Sequence, residues 1–181
     1  MHQKLVSVII PTYNRAHLVV EAIESVKAQS YPTIQVIVAD DGSQDDTAQS
    51  VAKVENVEYY YQENKGQAAA RNLGLRYAKG EYIASLDSDD IWHKDFLKVA
   101  VAALEQYQAD FVFLNWTEIS EAKQSVQRLG TKQNMAKVFQ EPGRGMVTVK
   151  CRRSSGTFPQ NLSGAFFGII DSAFLVRCRL E

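Results

Sequence analysis

Asp87-Ser88-Asp89 is the segment of this sequence with the sharpest chemical capacity. Two carboxylates one residue apart can both reach a single hard cation, with water and ligand phosphates completing its oxygen shell. Mg2+ or Mn2+ held in that way neutralises the charge developing on a departing pyrophosphate. The competing reading is that Ser88 or one of the aspartates only caps the helix that follows. A second acidic turn, Asp40-Asp41-Gly42-Ser43, tips the balance toward the metal. There, Ser43 with Asp46 approximates a capping box, and Asp45 and Asp46 suit a helix N-terminus. Capping does not account for Asp40-Asp41 at the end of an apolar run. Adjacent strand residues face opposite sides, so one of these carboxylates serves the fold. The other faces a ligand and can accept a hydrogen bond from a pyrimidine ring N–H. Lys65-Gly66 with Arg71-Asn72 suits a diphosphate, Gly66 letting the backbone come close and Arg71 offering charge. A solvated turn is the alternative for Lys65. Tyr13 can lie against a base or simply pack, and His93 reads as a surface or helix-start residue rather than a ligand.

Residues of this kind need a scaffold that brings them together, and the first half of the chain supplies one. Residues 5–10 form a continuous apolar run ending at Pro11, the pattern of a strand buried on both faces. Leu18, Val19, Ala22, Ile23 and Val26 then recur at helical spacing, which predicts a helix over 15–29. Strands are expected at 34–39, 57–62, 82–86 and 111–114. Helices are expected at 45–54 and 67–78, the latter with Lys79 in its last turn and Gly80 closing it. A further helix places Phe96, Ala100, Ala103, Leu104 and Tyr107 on one face. This alternation predicts an α/β fold, a doubly wound, mostly parallel sheet flanked by helices with right-handed crossovers. Ligands of such sheets bind beyond the carboxyl ends of the strands, where 11–15, 40–43, 63–66 and 87–90 all fall. Residues 117–160 show little periodicity and read as a long surface excursion. Residues 163–170 read as a strand, followed by a short helix capped by Asp171 or Ser172.

Composition narrows the partners. The chain of 181 residues is 45% hydrophobic and 23% charged, enough for one domain with a real core. Twenty basic against twenty-one acidic residues leave a formal charge of −1, which gives no electrostatic case for nucleic acid. The apolar runs 5–10, 34–39 and 163–170 are far too short to span a bilayer, and no export signal opens the chain. Cys151 and Cys178 lack a metal-ligand spacing and read as idle thiols of a reducing cytosol. In that setting the glycosylation patterns at Asn115 and Asn161 read as chance matches. The expectation is therefore a cytoplasmic protein, with peripheral association at the inner face of a membrane left open.

Together the motifs resemble glycosyltransferase family 2, the inverting enzymes of the GT-A fold. The matching text is Ser7-Val8-Ile9-Ile10-Pro11-Thr12-Tyr13-Asn14-Arg15, then Val38-Ala39-Asp40-Asp41-Gly42-Ser43 with Asp46-Thr47. It continues through Asn64-Lys65-Gly66, Ala70-Arg71-Asn72, Gly80-Glu81-Tyr82-Ile83 and Leu86-Asp87-Ser88-Asp89-Asp90. The resemblance implies that residues 1–116 are a nucleotide-sugar-binding core in which Pro11, Thr12 and Tyr13 line a base pocket. It implies that Asp41 hydrogen-bonds the base, that Gly66, Arg71, Asp87 and Ser88 border the nucleotide, and that Asp89 with Asp87 holds Mn2+ or Mg2+. The donor is commonly a UDP-sugar, and the acceptor a saccharide or lipid-linked hydroxyl. Family members carry a further acidic motif that supplies the general base. Here 117–181 holds only isolated carboxylates, Glu118, Glu121, Glu141 and Asp171, and ends at Arg177-Cys178-Arg179-Leu180-Glu181. This part therefore reads as a partial acceptor side, with the catalytic base expected downstream of Glu181, Leu180-Glu181 as a cloning remnant, and transfer impaired. Two other functions compete. A sugar-nucleotide pyrophosphorylase needs a glycine-rich basic loop after the first strand, and residues 11–15 contain no glycine. The other is a non-catalytic nucleotide-sugar or phospho-receiver module; a receiver needs a phosphoacceptor aspartate after the third strand, where Glu63 stands.

Overall fold

The computed structural model describes residues 3–109, 111–113, 117–120, 125–128 and 174–177. Its main sheet has the order β3-β2-β1-β4-β8-β5. The first four strands, β1 (Val6–Thr12), β2 (Ile34–Asp40), β3 (Glu58–Tyr61) and β4 (Tyr82–Ser85), are mutually parallel. β8 (Phe174–Arg177) is antiparallel to both β4 and β5 (Phe111–Phe113), so the sheet is mixed at that side. β6 (Thr117–Ser120) and β7 (Ser125–Arg128) form a separate antiparallel pair. This pair stands where an excursion without regular structure was expected. Phe174–Arg177 is likewise a strand rather than the short helix expected after Ser172, its Phe-Leu-Val run suiting a pleated ladder. The expected strand at 163–170 lies outside the described residues.

Period-two alternation along the central strands sorts the core onto two faces. Val6, Val8 and Ile10 of β1, with Val36 and Val38 of β2, pack into one large cluster. It is completed by α1 (Leu18–Lys27), α2 (Thr47–Ala52) and α4 (Phe96–Gln106), through residues such as Ile23, Val51 and Leu104. Ile9, Ile37 and Ile83 face the other way, toward α3 (Gln67–Tyr77). Helices on both faces of a parallel sheet confirm the doubly wound expectation. On α4 the buried stripe is Leu97, Ala100 and Leu104; Tyr107 falls just past the helix end and is exposed.

α3 sits close on the sheet because it is built of small residues. A Cβ on Gly74 would lie 2.5 Å from Cγ2 of Ile9, so only glycine lets the helix approach this far. Its C-terminus is held by a buried polar clamp. Ser7 Oγ donates to Gln35 Oε1 and accepts from the backbone N–H groups of Lys79 and Gly80. Gln35 Nε2 donates in turn to the Tyr77 carbonyl and to Glu58. The helix stops at Tyr77 and the chain is already extended at Ala78, so Lys79 and Gly80 lie beyond it. Gly80 is required for a different reason from the one expected: a Cβ there would meet Ser7 N at 2.6 Å and Leu5 O at 2.7 Å.

Candidate functional site

Strands of unequal length open the cleft. β4 leaves the sheet at Ser85, opposite Ile9, while β1 and β2 continue paired to Thr12 and Asp40. Beyond these ends lies a cleft of about 350 Å3, bordered by the segments that follow all four parallel strands. Of the residues singled out from sequence, Pro11, Thr12, Tyr13, Asp41, Gly66, Asp87, Ser88 and Asp89 line it. Arg15, Asn64, Gln67 and Ala70 complete the lining. Arg15, Asn64 and Ala70 belong to recognised motifs, and Gln67 follows from α3 beginning with its N-terminus at the cleft.

The two adjacent aspartates divide their work as strand geometry requires. Asp40 is fully buried, accepting from Ser43 N at 2.8 Å and from the Tyr59 hydroxyl at 2.6 Å. Burial, and then the carboxylate it bonds, hold the Tyr59 phenol well above its ordinary range, so it stays a donor. Asp41 borders the cleft but is also structural. Its Oδ1 accepts from Gln62 Nε2 at 2.6 Å and Lys65 N at 2.9 Å, and its Oδ2 from Gly66 N at 2.7 Å. Three donors on a carboxylate with about four lone-pair positions leave capacity for one more. Lys65 therefore contributes its backbone here, and its side chain is exposed away from the lining. Gly66 holds φ at +90°, which frees its N–H to turn toward Asp41.

A second set of bonds stitches the first two loops together. Asn14, at φ +52°, donates from its backbone to Ser43 Oγ and accepts from Gln44 N through Oδ1. Arg15 N donates to Thr47 Oγ1 and Ala16 N to Asp45 Oδ2. Asp45 also accepts from Thr47 N and, above all, from the Thr47 hydroxyl, which holds its carboxyl below the usual range. The capping box expected from Ser43 and Asp46 does not form, because Ser43 is committed to Asn14; Asp46 is the N-cap residue but makes no side-chain cap bond.

The acidic turn after β4 carries two ion pairs of different character. Asp87 accepts from Arg71 at 2.6 Å, with the Arg71 side chain 2% and the Asp87 side chain 15% exposed. Arg71 is thus buried and is not among the residues that line the cleft. It holds Asp87 in place, aided by Gln67 Nε2 at 3.2 Å. Asp89 instead pairs with Arg15 at 2.5 Å, both side chains more than a third exposed. Burial, and then Asp87 and Asp89, push the Asp90 carboxyl up to about 6, which registers the crowding of negative charge. Behind the turn, Ser25 Oγ accepts from Trp92 N and Gln29 Oε1 from Leu97 N, fastening it to α1. His93 is exposed and faces Asp95, as a helix-start residue does.

Carboxylate oxygens of Asp87 and Asp89 suit a hard cation that keeps water and ligand oxygens, which is the habit of Mg2+ and Mn2+. Among the described residues no group of three or more His, Cys, Asp or Glu is placed to hold an ion, so other oxygens would have to complete its shell. No described helix is long and apolar enough to cross a membrane.

Known proteins resemble this chain in sequence and fold. A family model described as glycosyl transferase family 2 matches residues 7–152. An uncharacterized glycosyltransferase of Rickettsia felis is 40% identical over 124 residues, 67% of this chain and 21% of that protein. The Escherichia coli UDP-Glc:alpha-D-GlcNAc-diphosphoundecaprenol beta-1,3-glucosyltransferase WfgD is 34% identical over 159 residues, 85% of this chain and 62% of that one. Among solved structures, S. aureus TarS 1-349 in complex with UDP-GlcNAc superposes with a TM-score of 0.56 at 35% identity, covering 59% of this chain and 33% of that chain. A mannosyltransferase from Pyrobaculum calidifontis in complex with GDP-Man and Mn2+ gives 0.57 at 32% identity, covering 61% and 35%. The chain thus spans about a fifth of the R. felis relative and a third of these solved chains.

Proposed function

The chain belongs to glycosyl transferase family 2, and on that premise we propose that its cleft binds a nucleoside-diphosphate sugar, a UDP-sugar in the first instance, for metal-assisted, inverting transfer to an acceptor hydroxyl. The observation that carries this reading is the convergence of Tyr13, Asp41, Asp87 and Asp89 from three strand ends on one cleft. Pro11, Thr12 and Tyr13 form the wall against which a base lies flat. Thr12 is buried behind that wall, its Oγ1 without a hydrogen-bond partner among the described residues. Asp41 offers its remaining lone pair to a ring N–H, which uracil presents. Gly66, at the start of α3, lets a diphosphate approach the positive end of that helix. Asp87, fixed by Arg71, faces the ribose side with Ser88. Asp87 and Asp89 would hold Mn2+ or Mg2+, which when bound supplies positive charge to the departing diphosphate.

The relatives point the same way. S. aureus TarS binds UDP-GlcNAc, the P. calidifontis enzyme GDP-Man with Mn2+, and the E. coli transferase is named for UDP-Glc and a lipid-linked acceptor. A saccharide or lipid-linked acceptor is accordingly the proposed second substrate. The test is calorimetric titration of UDP-, GDP- and TDP-sugars with and without Mn2+. UDP-sugar binding should strengthen strongly with the metal, and Asp89→Ala should abolish that gain while the protein stays folded, since Asp89 is exposed. UDP binding that ignores both Mn2+ and the substitution refutes the metal role.

A further inference from the structure

The cleft lining contains three carboxylates, Asp41, Asp87 and Asp89, and Arg15 as its one basic side chain among the described residues. Two of the carboxylates are firmly engaged. Asp41 is tied by three N–H donors, and Asp87 by a buried guanidinium. The Arg15–Asp89 pair is different, because both partners are solvated, and such pairs hold weakly and exchange readily. A diphosphate entering this cleft adds further negative charge, and Arg15 is the lining cation that could meet it. While paired with Asp89 it cannot do so.

Resting on the nucleotide-sugar reading above, we infer that Arg15 is an exchangeable counter-ion. It neutralises Asp89 in the empty cleft, leaves when a divalent cation takes that carboxylate, and turns to the diphosphate. The backbone supports motion of the side chain alone. Arg15 N is bonded to Thr47 Oγ1 and Arg15 O accepts from Leu18 N and Val19 N, while Asn14 is locked to Ser43 and Gln44. A long, flexible guanidinium on so fixed a base sweeps between neighbouring anions without moving its loop. Arginine suits both partners, since its planar fork matches carboxylate and phosphate alike. The exchange makes cation and nucleotide bind cooperatively: each frees a group that the other needs.

The inference predicts opposite changes from one substitution. In Arg15→Gln, Mn2+ alone should bind the nucleotide-free protein several-fold more tightly, because Asp89 has lost its competitor. UDP in saturating Mn2+ should bind about tenfold or more weakly, having lost a charge-assisted partner. Conversely, in EDTA, Asp89→Asn should bind UDP more tightly than the wild type, Arg15 now being free. That gain should vanish in the double variant Arg15→Gln/Asp89→Asn, which separates release of Arg15 from simple removal of negative charge. Calorimetry with Mn2+, UDP and UDP plus Mn2+ on the four proteins reads all of this. If UDP binds the wild type but Arg15→Gln leaves Mn2+ affinity unchanged or lower, the exchange is wrong and the nucleotide reading stands. A gain from Asp89→Asn that persists in the double variant also overturns it. If the wild type binds no UDP under any condition, the parent reading falls and the exchange with it.

Discussion

Asp40 and Asp41 are neighbours, both nearly inaccessible, and replacing each by asparagine should have unequal consequences. Asp41 accepts from three N–H groups, two of them backbone. Asparagine keeps the shape but puts an NH2 where one oxygen was. If that NH2 faces Gly66, the Gly66 N–H loses its acceptor. Turned the other way, the Gln62 amide can rotate to compensate, but Lys65 N–H cannot. Either orientation costs one charge-assisted bond and leaves a backbone donor against another donor, together about 2–4 kcal/mol. Asp40 has partners that tolerate the change. An asparagine oxygen can still accept from Ser43 N, and its NH2 can donate to the Tyr59 hydroxyl, which accepts as well as donates. Asp40→Asn should therefore cost only about 1 kcal/mol. Urea denaturation followed by circular dichroism resolves the difference, given total stabilities of about 5–15 kcal/mol for domains of this kind. UDP affinity should fall with Asp41→Asn as well, because the 62–66 loop that it fastens borders the cleft. Equal destabilisation, or a larger loss from Asp40→Asn, would show that the bonding around Asp41 has been misjudged.

Gly74→Ala should destabilise by about 1–3 kcal/mol, since the new methyl meets Ile9 on a central strand with no room to retreat; a neutral result in thermal melts would mean that α3 can lift from the sheet. Asn14→Gly should weaken nucleotide binding less than Asn14→Ala, because glycine keeps the φ of +52° while both lose the bond to Gln44 N. Calorimetry compares them. The Glu58 carboxyl is held below its ordinary 4.5 chiefly by the Gln35 amide, with Tyr60 and Lys79 helping. Its contribution to stability is complete above that value and is lost as pH falls through the lower folded one. Glu58→Gln should therefore flatten the acid limb of the stability curve below about pH 4.5.

The α/β alternation was legible because central parallel strands are apolar on both faces while their helices show period 3.6, so the two patterns do not mimic each other. The cleft was legible for a topological reason: four strand ends converge, and their polar turns stood out against the apolar runs before them. What sequence could not show was where competing partners would send a side chain. Ser43 and Asp46 have capping-box spacing, yet Asn14 from another loop claims Ser43. Arg71 reads from sequence as charge offered to a diphosphate, and that Ala and Gly neighbours sink α3 onto the sheet and bury its guanidinium against Asp87 shows only in the fold. Gly80 looked like a helix stop, and the signal that it abuts β1 exists only in three dimensions. β6 and β7 are four-residue strands, too short for period two to rise above the polar sequence around them, and the four residues of β8 follow a longer apolar run at 163–170 that carried the stronger strand signal.

β8 lies between β4 and β5 in the sheet but follows both by a long stretch of chain. On a ribosome, β1 to β4 can therefore pair while synthesis continues, whereas β5 has no place in the ladder until Phe174–Arg177 emerges. At roughly 5–20 residues per second this leaves several seconds in which the outer side of β4 is an open edge. An open edge invites pairing with another nascent chain. The order of strands thus makes the outer edge of β4 the part of this ladder that is covered last as the chain is made.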